Sequence, residues 1–195
     1  MADTEIVSVG EPVTRHSNIM RGVVKLTKLM ADGRQQIVGL QFAPDFLGRP
    51  FAKETMLTAE AATDVKVCSF SASLLDRMIE ETPELEHRLH EQALRELDEA
   101  RDWLLTLGRK TAQEKLASFF YLIATHLDPE HDAGGPSATY DIPLKRIDIA
   151  DFLGLTPETV SRQITKLRFS GLITIQSNDR TFQVPDMQRL KNACQ

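Results

Sequence analysis

The chain has only two cysteines, Cys68 and Cys194, among 195 residues. That pair forms neither a disulfide framework nor a zinc pattern. A long apolar run is missing too, since none approaches the ~18–20 residues that span a bilayer. The opening stretch, MADTEIVSVGEPVTRHS, has no basic region leading into an apolar one, so no secretory signal is expected. There is no nucleophile elbow, phosphate-binding loop, HExxH pattern or dinucleotide fingerprint, and the five histidines are scattered. Catalysis is therefore not expected. Internal repeats and low-complexity segments are also absent. Together these absences predict a cytoplasmic chain with no membrane partner.

What is present is ordinary in bulk, with 42% hydrophobic and 26% charged residues. The charge is unevenly spread. Residues 144–195 hold eight Lys and Arg against five Asp and Glu, a net of +3, which leaves −8 of the overall −5 to residues 1–143. A basic C-terminal piece on an acidic body suits a nucleic-acid-binding module joined to something else.

The first ~74 residues read as strands and turns. Val23–Leu29 and Gln36–Phe42 flank Asp32-Gly33, a hairpin signal. Val65–Phe70 is a further strand. At Thr82-Pro83-Glu84 the pattern changes to helix, with Thr suited to the cap, Pro to the first turn and Glu to the positive end of the dipole. The run lasts to Gly108. Leu89, Ala93, Leu97, Ala100, Leu104 and Leu107 are spaced 4, 4, 3, 4 and 3 apart, a heptad-like seam. The run either packs on its own domain or pairs with the same helix of a second copy. Its length favours the pair.

Thr111-Ala112-Gln113-Glu114 has the form of a capping box and opens another helix through Leu127. Asp128–Thr139 is a loop by composition, and a strand is expected over Tyr140–Leu144. Ile147–Leu153 reads as a helix with Ile147, Ile149 or Ala150, and Leu153 inward. Gly154-Leu155 is a tight turn, Thr156 a cap, and a second helix runs from Pro157 to about Phe169. On that helix Val160, Ile164 and Leu167 share one side, while Glu158, Ser161, Arg162 and Thr165 share roughly the other. Arg can donate twice to guanine, Glu can accept from cytosine, and Ser can bond a base or a phosphate. Thr156, Thr159, Thr165, Lys166 and Arg168 sit where phosphates are in reach. Leu172–Ile175, a Ser177-Asn178-Asp179 turn and Thr181–Val184 form a hairpin wing.

These residues carry a family resemblance. Gly22-Val23-Val24-Lys25-Leu26, Asp32-Gly33-Arg34 with Ile37-Val38-Gly39, Asp45-Phe46-Leu47-Gly48-Arg49 and Leu107–Ala112 all contribute. The strongest runs are Asp148–Thr156 and Glu158-Thr159-Val160-Ser161-Arg162. Across nearly all of its length the chain resembles the CRP/FNR regulators, most closely the FNR-type oxygen-responsive branch. The resemblance implies an α+β fold. Residues 1–80 would be a cyclic-nucleotide-binding-like β-roll, entered late and so incomplete. Residues 81–110 would be a dimerisation helix, and 111–195 a winged helix-turn-helix. It also implies a homodimer that reads a palindromic TTGAT-type site in double-stranded DNA through Glu158, Ser161 and Arg162. RNA polymerase would be a further partner and anaerobic or microaerobic genes the targets.

Two departures qualify what the resemblance implies. Gly48 is followed by Arg49, and Lys53–Thr58 lacks the arginine of the cyclic-nucleotide branch, so cyclic AMP is not expected. FNR-type relatives hold a 4Fe-4S cluster with three early cysteines and a fourth later. Cys68 matches only that fourth position, and one thiolate cannot hold four irons. No cofactor is expected for the chain as given. A β-roll that responds to a nucleotide or haem is the alternative.

Overall fold

Asp32 and Gly33 join two paired strands, as their dipeptide signal requires. Strand β3 (Val23–Leu29) runs antiparallel to β4 (Gln35–Phe42), with Lys25 opposite Leu40 and Leu29 opposite Gln35. The computed structural model describes residues 3–127, 137–176 and 180–195. The chain divides into two compact units, Met1–Trp103 and Leu104–Gln195.

The first unit adds β1 (Glu5–Val7), β2 (Arg15–Arg21), β5 (Phe46–Leu47), β6 (Thr58–Ala61) and β7 (Lys66–Ser71). They form two sheets, a four-stranded one in the order β1-β6-β3-β4 and a three-stranded one in the order β5-β2-β7. Ile19 and Leu47 from the smaller sheet meet Val24 and Ala59 from the larger in one apolar core. Between β2 and β3 the chain turns at Gly22, whose φ is +94°. A Cβ there would come within 2.6 Å of the Asp64 carbonyl oxygen, so only glycine fits. Of the sequence expectations, β3, β4 and β7 stand close to their predicted places. β2, RHSNIMR, was not foreseen because its polar composition hides the burial of His16, Ser17 and Ile19.

Helix α1 (Ala72–Glu81) follows β7, with the Ser71 hydroxyl accepting from the Leu74 amide at 3.2 Å. It was not foreseen, although Ser71 and the spacing of Leu74, Leu75, Met78 and Ile79 signal it. Only Thr82 separates it from α2 (Pro83–Arg109), a helix of 27 residues. Gly108 lies inside α2 rather than at its end. Of the expected seam on α2, Ala93, Leu97, Ala100 and Leu104 are exposed. Leu97 and Leu104 are well exposed, but so are Leu94 and Leu105, while Leu89 and Leu107 are half-buried. At about 100° per residue the uncovered stripe is therefore turned toward Leu94 and Leu105.

The second unit is built on α3 (Ala112–Leu127), opened by the expected capping box. The Thr111 amide donates to Glu114 at 2.7 Å and the Glu114 amide to the Thr111 hydroxyl at 3.4 Å. Phe119 and Phe120 on α3 are fully buried. Phe119 meets Phe152 edge to face with centroids 6.1 Å apart, and Phe120 lies 5.2 Å from Phe182. These contacts hold α4 (Arg146–Leu153) and the small sheet of β8 (Ala138–Asp141), β10 (Thr181–Val184) and β9 (Thr174–Ile175) against one helix. The Tyr140 hydroxyl adds a bond of 3.0 Å to the Phe120 carbonyl.

Three local expectations are corrected. The strand expected over Tyr140–Leu144 lies at Ala138–Asp141, since Pro143 has no amide to give a ladder. Leu172 and Ile173 do not extend β9, because both amides turn back to the Leu167 carbonyl, at 3.0 and 3.4 Å. Ile147 is 56% exposed rather than inward, and Phe152 fills the inner position instead. Of the loop expected over Asp128–Thr139, residues 128–136 lie outside the described residues, as does the turn at 177–179, while Ala138 and Thr139 are strand rather than loop because they pair with Val184 and Gln183. Helix α6 (Met187–Asn192), capped by Asp186 through the Arg189 amide at 2.8 Å, closes the chain. The chain is thus α+β: a two-sheet β domain, a long helix and a C-terminal helix-turn-helix with a wing.

Candidate nucleic-acid interface

The turn between the two helices of the motif is set by Gly154, at φ 61° and ψ 43°. No atom would touch a Cβ there, so the requirement for glycine is conformational, about 1–2 kcal/mol for any other L residue. Thr156 then caps α5 (Pro157–Phe169), its hydroxyl accepting from the Thr159 amide at 3.3 Å. Pro157 takes the first position, where a missing amide costs nothing.

Burial divides α5 cleanly. Val160, Ile164 and Leu167 are buried, while Glu158, Ser161, Arg162, Thr165, Lys166 and Arg168 are exposed. Helix α5 packs on both α3 and α4. The expected reading residues Glu158, Ser161 and Arg162 thus share one open surface near the helix N-terminus. Of the expected phosphate contacts, Thr156, Thr165 and Lys166 are exposed and Thr159 is half-buried. Gln163 was missed: it is 6% exposed, and its Oε1 has no hydrogen-bond partner among the described residues. Its place three residues after Val160 and four before Leu167 is the signal that could have found it.

The polar groups on this surface are already ordered. The Glu158 carboxyl is held below the usual carboxylate range by its own backbone amide and then by the Thr156 hydroxyl, so it is an anion ready to accept. The Ser161 hydroxyl donates to the Pro157 carbonyl at 2.9 Å, and Thr165 to the Ser161 carbonyl at 3.1 Å. Both hydroxyls spend their proton on the backbone and present lone pairs outward. Arg162 carries five fixed donors. Acceptor, acceptor and bidentate donor therefore lie along one helix edge, a pattern that matches cytosine amino and guanine O6/N7 groups in a major groove.

The wing lies beside this helix. β10 pairs with β9 through Phe182 opposite Ile175 and Gln183 opposite Thr174. The Arg146 guanidinium stands 5.6 Å from the Phe182 ring centroid, which ties α4 to the wing sheet.

In the first unit a cavity of about 450 Å³ opens between the sheets, bordered by Arg15, Ser17, Gln41, Arg49, Ser69 and Glu96. Gln41 is 7% exposed and gives its amide to the Phe46 carbonyl at 3.3 Å. Its Oε1 has no partner among the described residues. The Ser17 and Ser69 hydroxyls are bonded to each other at 2.7 Å.

Cys68 is exposed on β7, and Cys194 is buried in the second unit with its thiol donating to the Leu190 carbonyl at 3.2 Å. Among the described residues no three of His, Cys, Asp and Glu come together as a metal site. A four-iron cluster needs four ligands, so the residues present do not fit one. Nor is any described helix long and apolar enough to cross a membrane.

Similarity to known proteins follows the same division. A Cyclic nucleotide-binding domain family matches residues 1–82, and a Crp-like helix-turn-helix domain family matches residues 114–193. A "Probable transcriptional activator" of Rhizobium leguminosarum bv. viciae is 60% identical over 190 residues, spanning 97% of this chain and 78% of that protein. The "Nitrogen fixation regulation protein FixK" of Bradyrhizobium diazoefficiens is 42% identical over 175 residues, spanning 87% of this chain and 70% of its own length. The solved structure of FixK2 from Bradyrhizobium japonicum superposes with a TM-score of 0.85 at 33% identity, over 98% of this chain and 93% of that one. Such relatives are regulators of transcription and not enzymes, and the chain belongs to the CRP/FNR family of transcriptional regulators.

Proposed function

We propose that the chain is a homodimeric transcription activator that reads a palindromic TTGAT-type site through Glu158, Ser161 and Arg162. The carrying observation is the exposed acceptor-and-donor edge of α5, opposite a fully buried apolar edge. The phosphate contacts are assigned to Thr156, Thr159, Thr165 and Lys166. Residues 1–80 act as a sensor-like domain, 81–110 as the dimer helix and 111–195 as the DNA-binding domain. The working compartment is the cytoplasm and RNA polymerase is a partner. Control of anaerobic or microaerobic genes rests on the FNR-type motifs and on the FixK relative's nitrogen-fixation role.

The dimer reading is supported by α2. Leu94, Leu97, Leu104 and Leu105 are 62%, 45%, 71% and 58% exposed. Four leucines at spacings of three, seven and one along a helix of about 40 Å leave an apolar stripe that a second copy would cover. A dimer places two α5 helices on half-sites about one helical turn of DNA apart.

A second reading has its own support in the β-roll. A cavity of about 450 Å³ is within the usual range for small-molecule sites, roughly 300–1,000 Å³. Gln41 stands in its wall, and Arg15 and Arg49 border it with cationic groups. In this reading a small ligand in the cavity regulates the same activator.

Arg162→Ala is expected to cost about 1–3 kcal/mol on a TTGAT-type duplex and to relax base choice at one position. Fluorescence anisotropy against cognate and scrambled duplexes measures this, and undiminished discrimination rejects the reading. Leu104→Glu is expected to shift the chain from dimer to monomer in sedimentation velocity, and an unchanged dimer rejects the seam. Melting of the chain with cyclic AMP, cyclic GMP or haem tests the cavity. A ligand at 100 times its Kd raises stability by about 2.7 kcal/mol, a gain that Gln41→Leu should reduce. No rise with any of them counts against the second reading.

A further inference from the structure

The reading stripe of α5 ends in an aromatic ring. Glu158, Arg162, Thr165 and Phe169 follow one another at intervals of four, three and four, which places all four within ~60° of one another around the helix. Phe169 is 89% exposed, more than any other large apolar side chain among the described residues. Single exposed apolar residues are common on protein surfaces, so exposure alone carries nothing. Its place on the polar edge of this helix, and its surroundings, do.

Those surroundings favour a polyanion. From Thr159 to Gln176 there is no Asp or Glu, while Arg162, Lys166 and Arg168 are present. A cleft of about 300 Å³ lies between the end of α5 and β9, bordered by Thr165, Arg168, Phe169, Ile173, Thr174 and Ile175. It offers apolar walls beside a guanidinium and a threonine hydroxyl. In duplex DNA that combination has one counterpart: the C5 methyl of thymine, the only apolar group on a major-groove base edge, beside the phosphates.

We propose that Phe169 is a further specificity-determining residue, whose ring covers the methyl of a thymine beyond the bases met by Glu158, Ser161 and Arg162. The proposal rests on the DNA-reading function assigned to α5. Phe169 lies seven residues after Arg162, about 10 Å along the helix. The thymine is therefore at a different base pair from the one Arg162 reads. Arg168 and Thr174 hold the neighbouring phosphate.

The test replaces each thymine in and around a TTGAT-type half-site, one at a time, by deoxyuridine, which removes only the methyl. Binding of the full chain is followed by fluorescence anisotropy. At one position outside those sensitive to Arg162→Ala, the uracil duplex should bind wild type about fourfold more weakly, the worth of one buried methyl. Phe169→Ala should bind thymine and uracil duplexes alike there, and Phe169→Leu should keep part of the preference. Identical thymine-to-uracil profiles for wild type and Phe169→Ala overturn the proposal while leaving the triad's role intact. A Phe169→Ala chain with unaltered DNA binding but reduced transcription in vitro also overturns it, since the ring would then face a protein. Wild type that fails to distinguish cognate from scrambled DNA overturns the function assigned to α5 and this proposal with it.

Discussion

Burial of Val160, Ile164 and Leu167 fixes which way the other edge of α5 points. Three apolar side chains at i, i+4 and i+7, each almost free of solvent, contribute about 1.5–3 kcal/mol apiece by leaving water. No rotation of the helix keeps that gain and also hides Glu158, Ser161 and Arg162. The partner surface is rigid because α3 is clamped on both sides, by Phe152 of α4 against Phe119 and by Phe182 of β10 against Phe120. Gly154 and the Thr156 cap settle where α5 begins. The outward edge of α5 is thus a consequence of hydrophobic packing behind it.

The same residues stabilise the helix and shape its outward edge. Thr156 caps the helix and helps hold Glu158 ionised; Ser161 and Thr165 satisfy themselves on backbone carbonyls while keeping lone pairs outward. Side chains ordered before binding lose less entropy on contact. A charged, pre-set edge can therefore select bases rather than merely attract phosphate. The acid-free stretch from Thr159 to Gln176, with the exposed Phe169 within it, continues the same outward edge.

Much of this was legible in the residues. Asp32-Gly33, the Thr111–Glu114 capping box and the Gly154 turn are local signals whose geometry depends on few neighbours, and each is where it was expected. The inward and outward edges of α5 follow from periodicity alone. What escaped notice depended on tertiary surroundings. β2 is polar by composition, yet His16 packs against the Phe46 and Phe70 rings and Ser17 bonds to Ser69 on the neighbouring strand. Gln163 is buried at the margin of an otherwise apolar arc. The α2 seam was expected through Leu89, Ala93, Leu97, Ala100, Leu104 and Leu107; the middle four are exposed, Leu89 and Leu107 are half-buried, and Leu94 and Leu105 are open as well. Pro143 ruled out the late strand, a signal present in the sequence but outweighed by the β-prone Tyr140 and Ile142.

Glu158 separates packing from reading more sharply than any other residue, because it is both the dipole complement of α5 and the proposed acceptor for a base. Binding of Glu158→Gln to duplexes carrying each of the four base pairs at every half-site position is the direct measurement, with helicity followed by circular dichroism. Retained helix content with an altered base preference at one position is the result expected of a reading residue. Retained helix content with the wild-type ranking of all duplexes would contradict the claim that this edge of α5 reads DNA.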